Sequence, residues 1–218
     1  MPDDLRCPIL LGDVELARGD GASALGHFEV AAQSARSRII VTRLARAHSV
    51  AGTGQADQPL SGWLAEHPDD HEVRTMYARV LESDGKLPEA IAQYETLLDI
   101  DQLDPAGMNN LAWHYSLQGD DRAVELAERA HALAPSVGSI TDTLGWILAK
   151  EGQTERALSL LREASGQLPG NAEVQFHLAY VLAESGESTE AKSVLDELLG
   201  SGDDFPSRAD AEQLAESL

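Results

Sequence analysis

The sequence predicts an all-α solenoid of about six helix-turn-helix repeats, followed by a C-terminal capping helix. Two regularities support this prediction. Glycines recur at intervals of 33 or 34 residues, at Gly19, Gly52, Gly85, Gly119, Gly152 and Gly186. A small residue lies seven positions before each of them, at Gly12, Ala45, Ala78, Ala112, Gly145 and Ala179. A repeat of this length is typical of stacked helical hairpins, each of which buries its apolar face against its neighbours.

Each recurring glycine is expected to form the turn between the two helices of a repeat. The first helix must end in a left-handed residue, and glycine adopts that conformation without steric cost. The small residue before it lets the paired helices approach closely. After the turn, an alanine and an apolar residue four positions later predict the buried face of the second helix. The clearest pairs are Ala24 with Phe28, Ala90 with Tyr94, Ala157 with Leu161 and Ala191 with Leu195.

The glycine spacing divides a single predicted domain, residues 1–218, into repeats. These run over about 5–37, 38–70, 71–104, 105–137, 138–171 and 172–205, with a capping helix over 207–218 that Ser207 is suited to start. Repeat two is irregular, because Asp57 replaces the usual alanine and Pro59 follows it. We expect its second helix to start late or bend. Pro8 falls in the first helix of repeat one, whose first turn we expect to fray.

Charge excludes several classes of partner. The chain has 37 acidic and 16 basic residues and a formal net charge of −21. An acidic surface repels phosphate backbones and anionic lipid heads, so neither nucleic-acid binding nor direct membrane insertion is expected. No apolar run reaches the roughly 18 residues of a membrane helix, and the N-terminus lacks the pattern of a signal peptide. The chain as given is expected in the cytoplasm, or in the periplasm or envelope if it is a fragment of a longer lipoprotein.

No motif predicts catalysis. The sequence contains no phosphate-binding glycine loop, zinc-ligand spacing or Ser-His-Asp order, so we expect a non-enzyme without cofactor or metal. The stretch from His67 to His71 has the residue types of a metal site. It also lies between two predicted helices, where Pro68 and Asp70 are suited to end one helix and cap the next, and we favour that interpretation.

Several segments carry a resemblance to known proteins. They are WLAEHPDD (63–70), EAIAQYETLL (89–98), NNLAW (109–113), DTLGW (142–146) and FPSRADAEQL (205–214). Over nearly the whole chain the repeats resemble tetratricopeptide (TPR) repeats, which implies a right-handed superhelix whose first helices line a concave groove. More narrowly, the segments are similar to the C-terminal half of the TPR proteins of bacterial exosortase (PEP-CTERM) systems, of the PrsT type. That similarity implies a role in exopolysaccharide assembly or export.

The resemblance also implies which side chains face the groove. Ligand-facing positions of the repeats give a cationic section followed by an aromatic one. The candidate partner-binding residues are Arg46, Thr75, Arg79, Asn109, Trp113, Asp142, Trp146, Phe176 and Tyr180.

Three functions fit these candidates. The first is a scaffold or adaptor that binds an extended peptide or partner protein, with the arginines holding carboxylates and the aromatic rings taking apolar side chains. The second is a carbohydrate-binding protein that stacks sugar rings on the same aromatic faces. The third is a structural spacer or self-association module, in which Trp113 and Trp146 pack against each other and stiffen the groove wall. The sequence specifies neither the partner nor the oligomeric state.

Overall fold

A computed structural model of the protein describes residues 6–100 and 104–218. Within them the chain forms thirteen α-helices and no β-strand. The helices group into two compact units, Met1–Gln102 and Leu103–Leu218, called here the N-terminal and C-terminal units. None of the described helices has the length and apolar character needed to cross a membrane. The prediction of a single domain stays a prediction.

The N-terminal unit contains three helical pairs. They are α1 (Arg6–Ala17) with α2 (Gly21–Ser34), α3 (Arg38–Val50) with α4 (Asp57–Leu64), and α5 (His71–Ser83) with α6 (Leu87–Ile100). Asp20 caps α2 by accepting a bond from the Ser23 backbone N–H, and the same bond holds the pKa of Asp20 below its usual value. Pro8 lies in the first turn of α1, where a missing N–H is tolerated. Residues 1–5, which include the start predicted for repeat one, lie outside the described residues.

The C-terminal unit contains three further pairs and one last helix. They are α7 (Pro105–Gln118) with α8 (Arg122–Leu133), α9 (Gly138–Lys150) with α10 (Thr154–Gln167), α11 (Ala172–Glu184) with α12 (Ser188–Gly200), and α13 (Arg208–Ser217). The paired helices pack along each other, and the first helices α7, α9 and α11 are neighbours in that order. This stacking places one face of each first helix on a common side of the unit.

The glycine turns are confirmed. All six recurring glycines have positive φ, between 62° at Gly52 and 86° at Gly186. The small residues seven positions earlier are buried where the paired helices touch, and Ala45, Ala78, Ala112 and Ala179 are fully buried. A Cβ added to Gly145 would lie 2.8 Å from Cγ of Leu161 on the partner helix. The small residues therefore set the close approach of the helices, as the sequence predicts.

Repeat two is irregular in the way that its sequence predicts. Helix α4 begins at Asp57, five residues after the turn glycine Gly52, whereas most other second helices begin two residues after theirs. Pro59 then occupies the first turn of the helix. Only eight residues of α4 are helical, so this pair is the shortest in the described chain.

The terminal helix α13 is fixed to the stack by an apolar cluster. Phe205 and Ala211 are buried against Phe176, Ala179 and Leu195, and Leu214 and Leu218 pack on the same cluster. A helix is therefore present over most of the range predicted for the capping helix. Ser207 occupies the N-cap position, but its side chain does not cap the helix as expected. Its hydroxyl instead donates a 2.7 Å bond to Oε2 of Glu173 on α11.

Candidate functional site

A cavity of about 890 Å³ opens within the C-terminal unit. The first helices α7, α9 and α11 form its floor and walls, and α13 closes one side. Its lining is mainly aromatic and aliphatic, with a few charged groups at defined positions. The lining residues are Trp113, Leu117, Asp142, Trp146, Lys150, Glu173, Phe176, His177, Tyr180, Pro206, Ser207, Asp210, Gln213, Leu214 and Ser217.

Trp146 is the centre of the aromatic wall. Its ring stacks on the His177 imidazole, with centroids 4.1 Å apart and planes tilted by 20°. Tyr180 meets the same ring edge-on at 5.2 Å, and Phe176 lies at 6.3 Å. Three of the four rings come from α11, at positions 176, 177 and 180, which helical spacing brings onto one face. The wall is therefore held on several sides before any ligand arrives.

A buried hydrogen bond orients the stacked imidazole. His177 Nδ1 lies 3.0 Å from both carboxylate oxygens of Asp142 on α9, and both residues are buried. An ionised carboxylate only accepts hydrogen bonds, so Nδ1 carries the hydrogen and donates it. The bond fixes the ring plane of His177 against Trp146. Asp142 thus acts on the cavity mainly through the ring that it holds.

Lys150 brings a cation to the aromatic wall. It follows Trp146 by four residues on α9, so both side chains lie on the same helix face. Its Nζ lies 4.2 Å from the ring centroid of Trp146 and 4.4 Å from that of Tyr180. These distances are typical of cation–π contacts.

Glu173 fastens the capping helix to the cavity wall. Its carboxylate accepts bonds from the backbone N–H of Ser207 at 2.9 Å and from the Ser207 hydroxyl at 2.7 Å. A negative charge at a helix N-terminus also interacts favourably with the helix dipole. The contact places Ser207, Asp210 and Leu214 along the cavity. The sequence interpretation of α13 as a cap alone leaves out this second face.

The structure brings five of the nine candidate residues together. Trp113, Asp142, Trp146, Phe176 and Tyr180 all line the cavity. Asn109 is half-buried on α7 outside the lining, and its Oδ1 is buried without a hydrogen-bond partner among the described residues.

The other three candidates belong to the N-terminal unit. Arg46 on α3 and Arg79 on α5 are exposed, and neither makes an ion pair with any residue that the structure describes. The hydroxyl of Thr75 donates to the backbone carbonyl of His71 at 2.9 Å. Arg46 and Arg79 are therefore free to meet a ligand, whereas Thr75 is engaged with its own helix.

Sequence reasoning missed several lining residues. Lys150 could have been found from its spacing of four residues after Trp146, because such residues share a helix face. His177 lies one repeat and one residue after Asp142, an offset that the groove positions do not include. The residues of α13 gave no signal, since their role depends on where the last helix folds back.

Two alternative interpretations can be compared with the geometry. Trp113 and Trp146 line the same cavity, but in the described chain their rings are not in contact with each other, and Trp146 packs on α11 instead. The stretch from His67 to His71 is a turn in which Asp70 accepts bonds from the Val73 N–H and the Trp63 indole N–H. No cluster of potential metal ligands occurs among the described residues.

Comparison with known proteins identifies the repeats. Two family models described as tetratricopeptide repeat match residues 148–215 and 60–107. No curated protein matches the sequence. Many solved structures share the fold, at low sequence identity.

Three of these structures illustrate the likeness. A TPR protein from Parabacteroides merdae is 13% identical, with a TM-score of 0.75 over 90% of this chain and 79% of that one. A thermophilic TPR protein from Thermus thermophilus is 20% identical, with a TM-score of 0.60 over 82% of this chain and 99% of that one. YrrB, described as a TPR protein with an unusual peptide-binding site, is 24% identical, with a TM-score of 0.59 over 73% and 81%.

The family matches and the shared fold agree with the glycine spacing and the helical pairs. Proteins of this class generally bind peptides or other proteins, and they are typically non-catalytic scaffolds. The helical pairs of this chain are therefore tetratricopeptide repeats.

Proposed function

We propose that the chain is a non-catalytic adaptor that binds an extended segment of a partner protein, with an apolar or aromatic side chain of that segment seated in the cavity of the C-terminal unit. The observation that supports this most strongly is the cavity itself, which measures about 890 Å³ and has Trp113 in its lining beside the wall of Trp146, Phe176 and Tyr180. Its size lies within the range of about 300–1,000 Å³ that is usual for small-ligand pockets, so it can accept an anchoring side chain together with neighbouring atoms of the segment.

The wall favours binding because it is already formed. Trp146 is held by His177 and Tyr180, and His177 is held in turn by Asp142. A ligand then has to order few side chains of the protein, which reduces the entropic cost of association. Affinity should be concentrated in the one or two side chains of the partner that reach the aromatic rings.

The geometry favours a peptide over a sugar chain. A sugar ring stacks on an open aromatic face, but the His177 ring is already stacked on Trp146. Trp113 is half-buried and its ring touches no other ring among the described residues, so it offers a side on which an apolar side chain can pack. Carbohydrate binding is kept as the alternative that the experiment must distinguish.

The remaining candidates extend the proposal. We place Arg46 and Arg79, and with them Thr75, in contact with another part of the partner, because the two arginines are exposed and have no ion pair in the described chain. Asn109 is included because its buried Oδ1 has no partner there. The similarity to exosortase-system proteins would make the partner a component of exopolysaccharide assembly or export.

A selection of peptides tests the proposal. A displayed library of random twelve-residue peptides is selected on the immobilised chain, and the strongest sequences are synthesised and titrated calorimetrically. Trp113→Ala should weaken these peptides about tenfold or more, because an interface anchor typically contributes at least about 1.4 kcal/mol. Leu117→Ala, at the cavity, should weaken them several-fold, whereas Leu133→Ala, which changes another exposed leucine of the same unit outside the cavity, should not. Circular dichroism verifies that the variants remain folded.

Other outcomes would contradict the proposal. Peptides that bind all three variants as they bind the wild type would place the site elsewhere. Soluble exopolysaccharide fragments that bind the wild type and are lost with Trp113→Ala would establish the carbohydrate alternative. A chain that selects no peptide and retains no fragment would support the spacer function.

A further inference from the structure

The cavity already holds a cation supplied by the chain itself. Lys150 Nζ lies over both Trp146 and Tyr180, within 4.4 Å of each ring centroid. Lys150 is exposed and makes no ion pair with a carboxylate in the described part of the chain. Its ammonium group therefore contacts the two rings and is otherwise exposed to solvent. This contact demonstrates that the wall presents its negative π faces where a cation can reach them.

The charged groups around the rings are predominantly acidic. Three carboxylates line the cavity, those of Asp142, Glu173 and Asp210, and Lys150 is the one Lys or Arg among the lining residues. Asp142 is paired with His177 and Glu173 with Ser207, but Asp210 is exposed and its carboxylate makes no hydrogen bond or ion pair within the described chain. Asp210 is thus free to pair with a ligand.

The C-terminal unit as a whole also has a negative net charge. Residues 105–218 contain 19 acidic and 7 basic residues, a net charge of −12. A surface of this charge attracts basic segments and repels acidic ones over a distance of about one Debye length, ~10 Å at 0.1 M salt. The long-range attraction and the local π faces therefore both favour a positively charged ligand.

We propose that the partner segment is basic, and that one of its arginine or lysine side chains replaces Lys150 over Trp146 and Tyr180 and pairs with Asp210. This inference rests on the proposed function, since it names the chemistry of the peptide that the cavity binds. Lys150 acts as a tethered occupant that keeps the rings covered until the partner arrives. Arginine is the better fit of the two, because its flat guanidinium stacks on aromatic faces and pairs with a carboxylate at the same time.

In the opposite arrangement, Lys150 binds a carboxylate of the partner. The two arrangements predict opposite effects of Lys150→Ala on the affinity for the peptide. Removing the Lys150 charge should strengthen a basic peptide, because the peptide no longer displaces a competing cation. The same change should weaken an acidic peptide, because it loses its counter-ion. Lys150→Ala therefore separates the two arrangements in a single titration.

The experiment uses the peptides selected on the wild-type chain. Each selected arginine is also replaced by citrulline, which has nearly the same shape without the charge, and each lysine by glutamine. We expect the selected peptides to be rich in arginine or lysine and to lose most of their affinity on neutralisation. Lys150→Ala should tighten the charged peptides about two- to fivefold. Lys192 is an exposed lysine of α12 outside the cavity, so Lys192→Ala removes the same charge as a control. It should leave the affinity within about twofold of the wild-type value.

Two results would overturn the inference. Selected peptides that need Trp113 but are neutral or acidic, and that bind Lys150→Ala no better than the wild type, would retain the adaptor function and refute the basic partner. A selection that yields no peptide dependent on Trp113 would refute the adaptor function and the inference together. Asp210→Asn completes the test: it should weaken the charged peptides and leave their citrulline versions unchanged.

Discussion

Gly145 shows how one small residue sets the distance between two helices. It lies on α9 facing α10, and a Cβ at this position would come within 2.8 Å of Cγ of Leu161. That carbon is the branch point of a fully buried side chain, so it cannot move aside as a flexible chain end could. Interiors are close-packed, and an extra methyl group there forces neighbouring helices apart.

Gly145→Ala should therefore destabilise the chain, although alanine is the better helix former. We expect a loss of about 1–3 kcal/mol in the free energy of unfolding from overpacking, larger than the ~1 kcal/mol gained in helix propensity. Gly166→Ala, on α10 with open space around its Cα, should be neutral or slightly stabilising. Urea denaturation followed by circular dichroism measures both. A Gly145→Ala chain as stable as the wild type would show that α9 and α10 can separate at little cost.

For single residues, the sequence predicts a place at the cavity when that place follows from the position of the residue in the repeat. Trp113 and Trp146 were placed by their position in the repeat, and both line the cavity. His177 occupies a position that has no assigned role in the repeat, and only the packing of α9 against α11 brings it to Trp146. Pair contacts between repeats depend on the relative rotation of two helices, which the spacing of residues within one repeat does not specify.

Helix α13 is the element whose function differs most from its sequence interpretation. As a cap it covers the apolar end of the C-terminal unit through Phe205 and Ala211. As a cavity wall it contributes Asp210 and Leu214 to the candidate site. The two functions are linked, because the same docking contacts that cover the core also position the lining residues.

Phe205→Ala should release α13 without unfolding the repeats. Phe205 is 8% exposed, and truncation of a buried phenylalanine typically costs about 3 kcal/mol. Because stability differs between regions of a fold, the loss should appear as faster amide hydrogen exchange over 208–217, with α7 to α12 still protected. Asp204→Ala, the exposed neighbouring residue, is the control. Unchanged exchange over 208–217 would show that Glu173 and Ala211 hold the helix without Phe205.

The helices themselves were predictable and their long-range contacts were not. The late start of α4 follows from Asp57 and Pro59, which act within one turn of the chain. The bond between Ser207 and Glu173 joins residues 34 positions apart and replaces the local cap that Ser207 was expected to make. Local chemistry therefore specified where helices begin, and tertiary packing decided which side chains the ends contact.

For the molecule as a whole, charge is the property that opposes folding. The net charge of −21 places many carboxylates on the surface of a chain of 218 residues, and self-repulsion of like charges destabilises a compact state. Ion pairs such as Arg156 with Glu128 and Arg162 with Glu187 are exposed, and pairs of that kind contribute about 0–1 kcal/mol each. Repulsion between the unpaired carboxylates should dominate.

Added salt should consequently stabilise the protein. We expect the midpoint of thermal unfolding to rise by roughly 2–4 °C between about 10 and about 300 mM sodium chloride, because screening weakens the repulsion more than it weakens the exposed ion pairs. Helical circular dichroism as a function of temperature measures the shift. A midpoint that falls with salt would mean that the ion pairs stabilise the fold more than the repulsion between negative charges destabilises it.

The distribution of tryptophans between the units has a practical consequence. Trp63, with its indole N–H bonded to Asp70 and its ring against His67, is the single tryptophan of the N-terminal unit, whereas Trp113 and Trp146 both belong to the cavity. Tryptophan fluorescence of the N-terminal unit therefore comes from Trp63, and that of the C-terminal unit comes from Trp113 and Trp146. Replacing Trp63 by phenylalanine leaves an emission that comes from the cavity alone, and replacing the other two leaves one that comes from the N-terminal half. Unfolding of each half can then be followed separately in the intact chain, without attaching any dye.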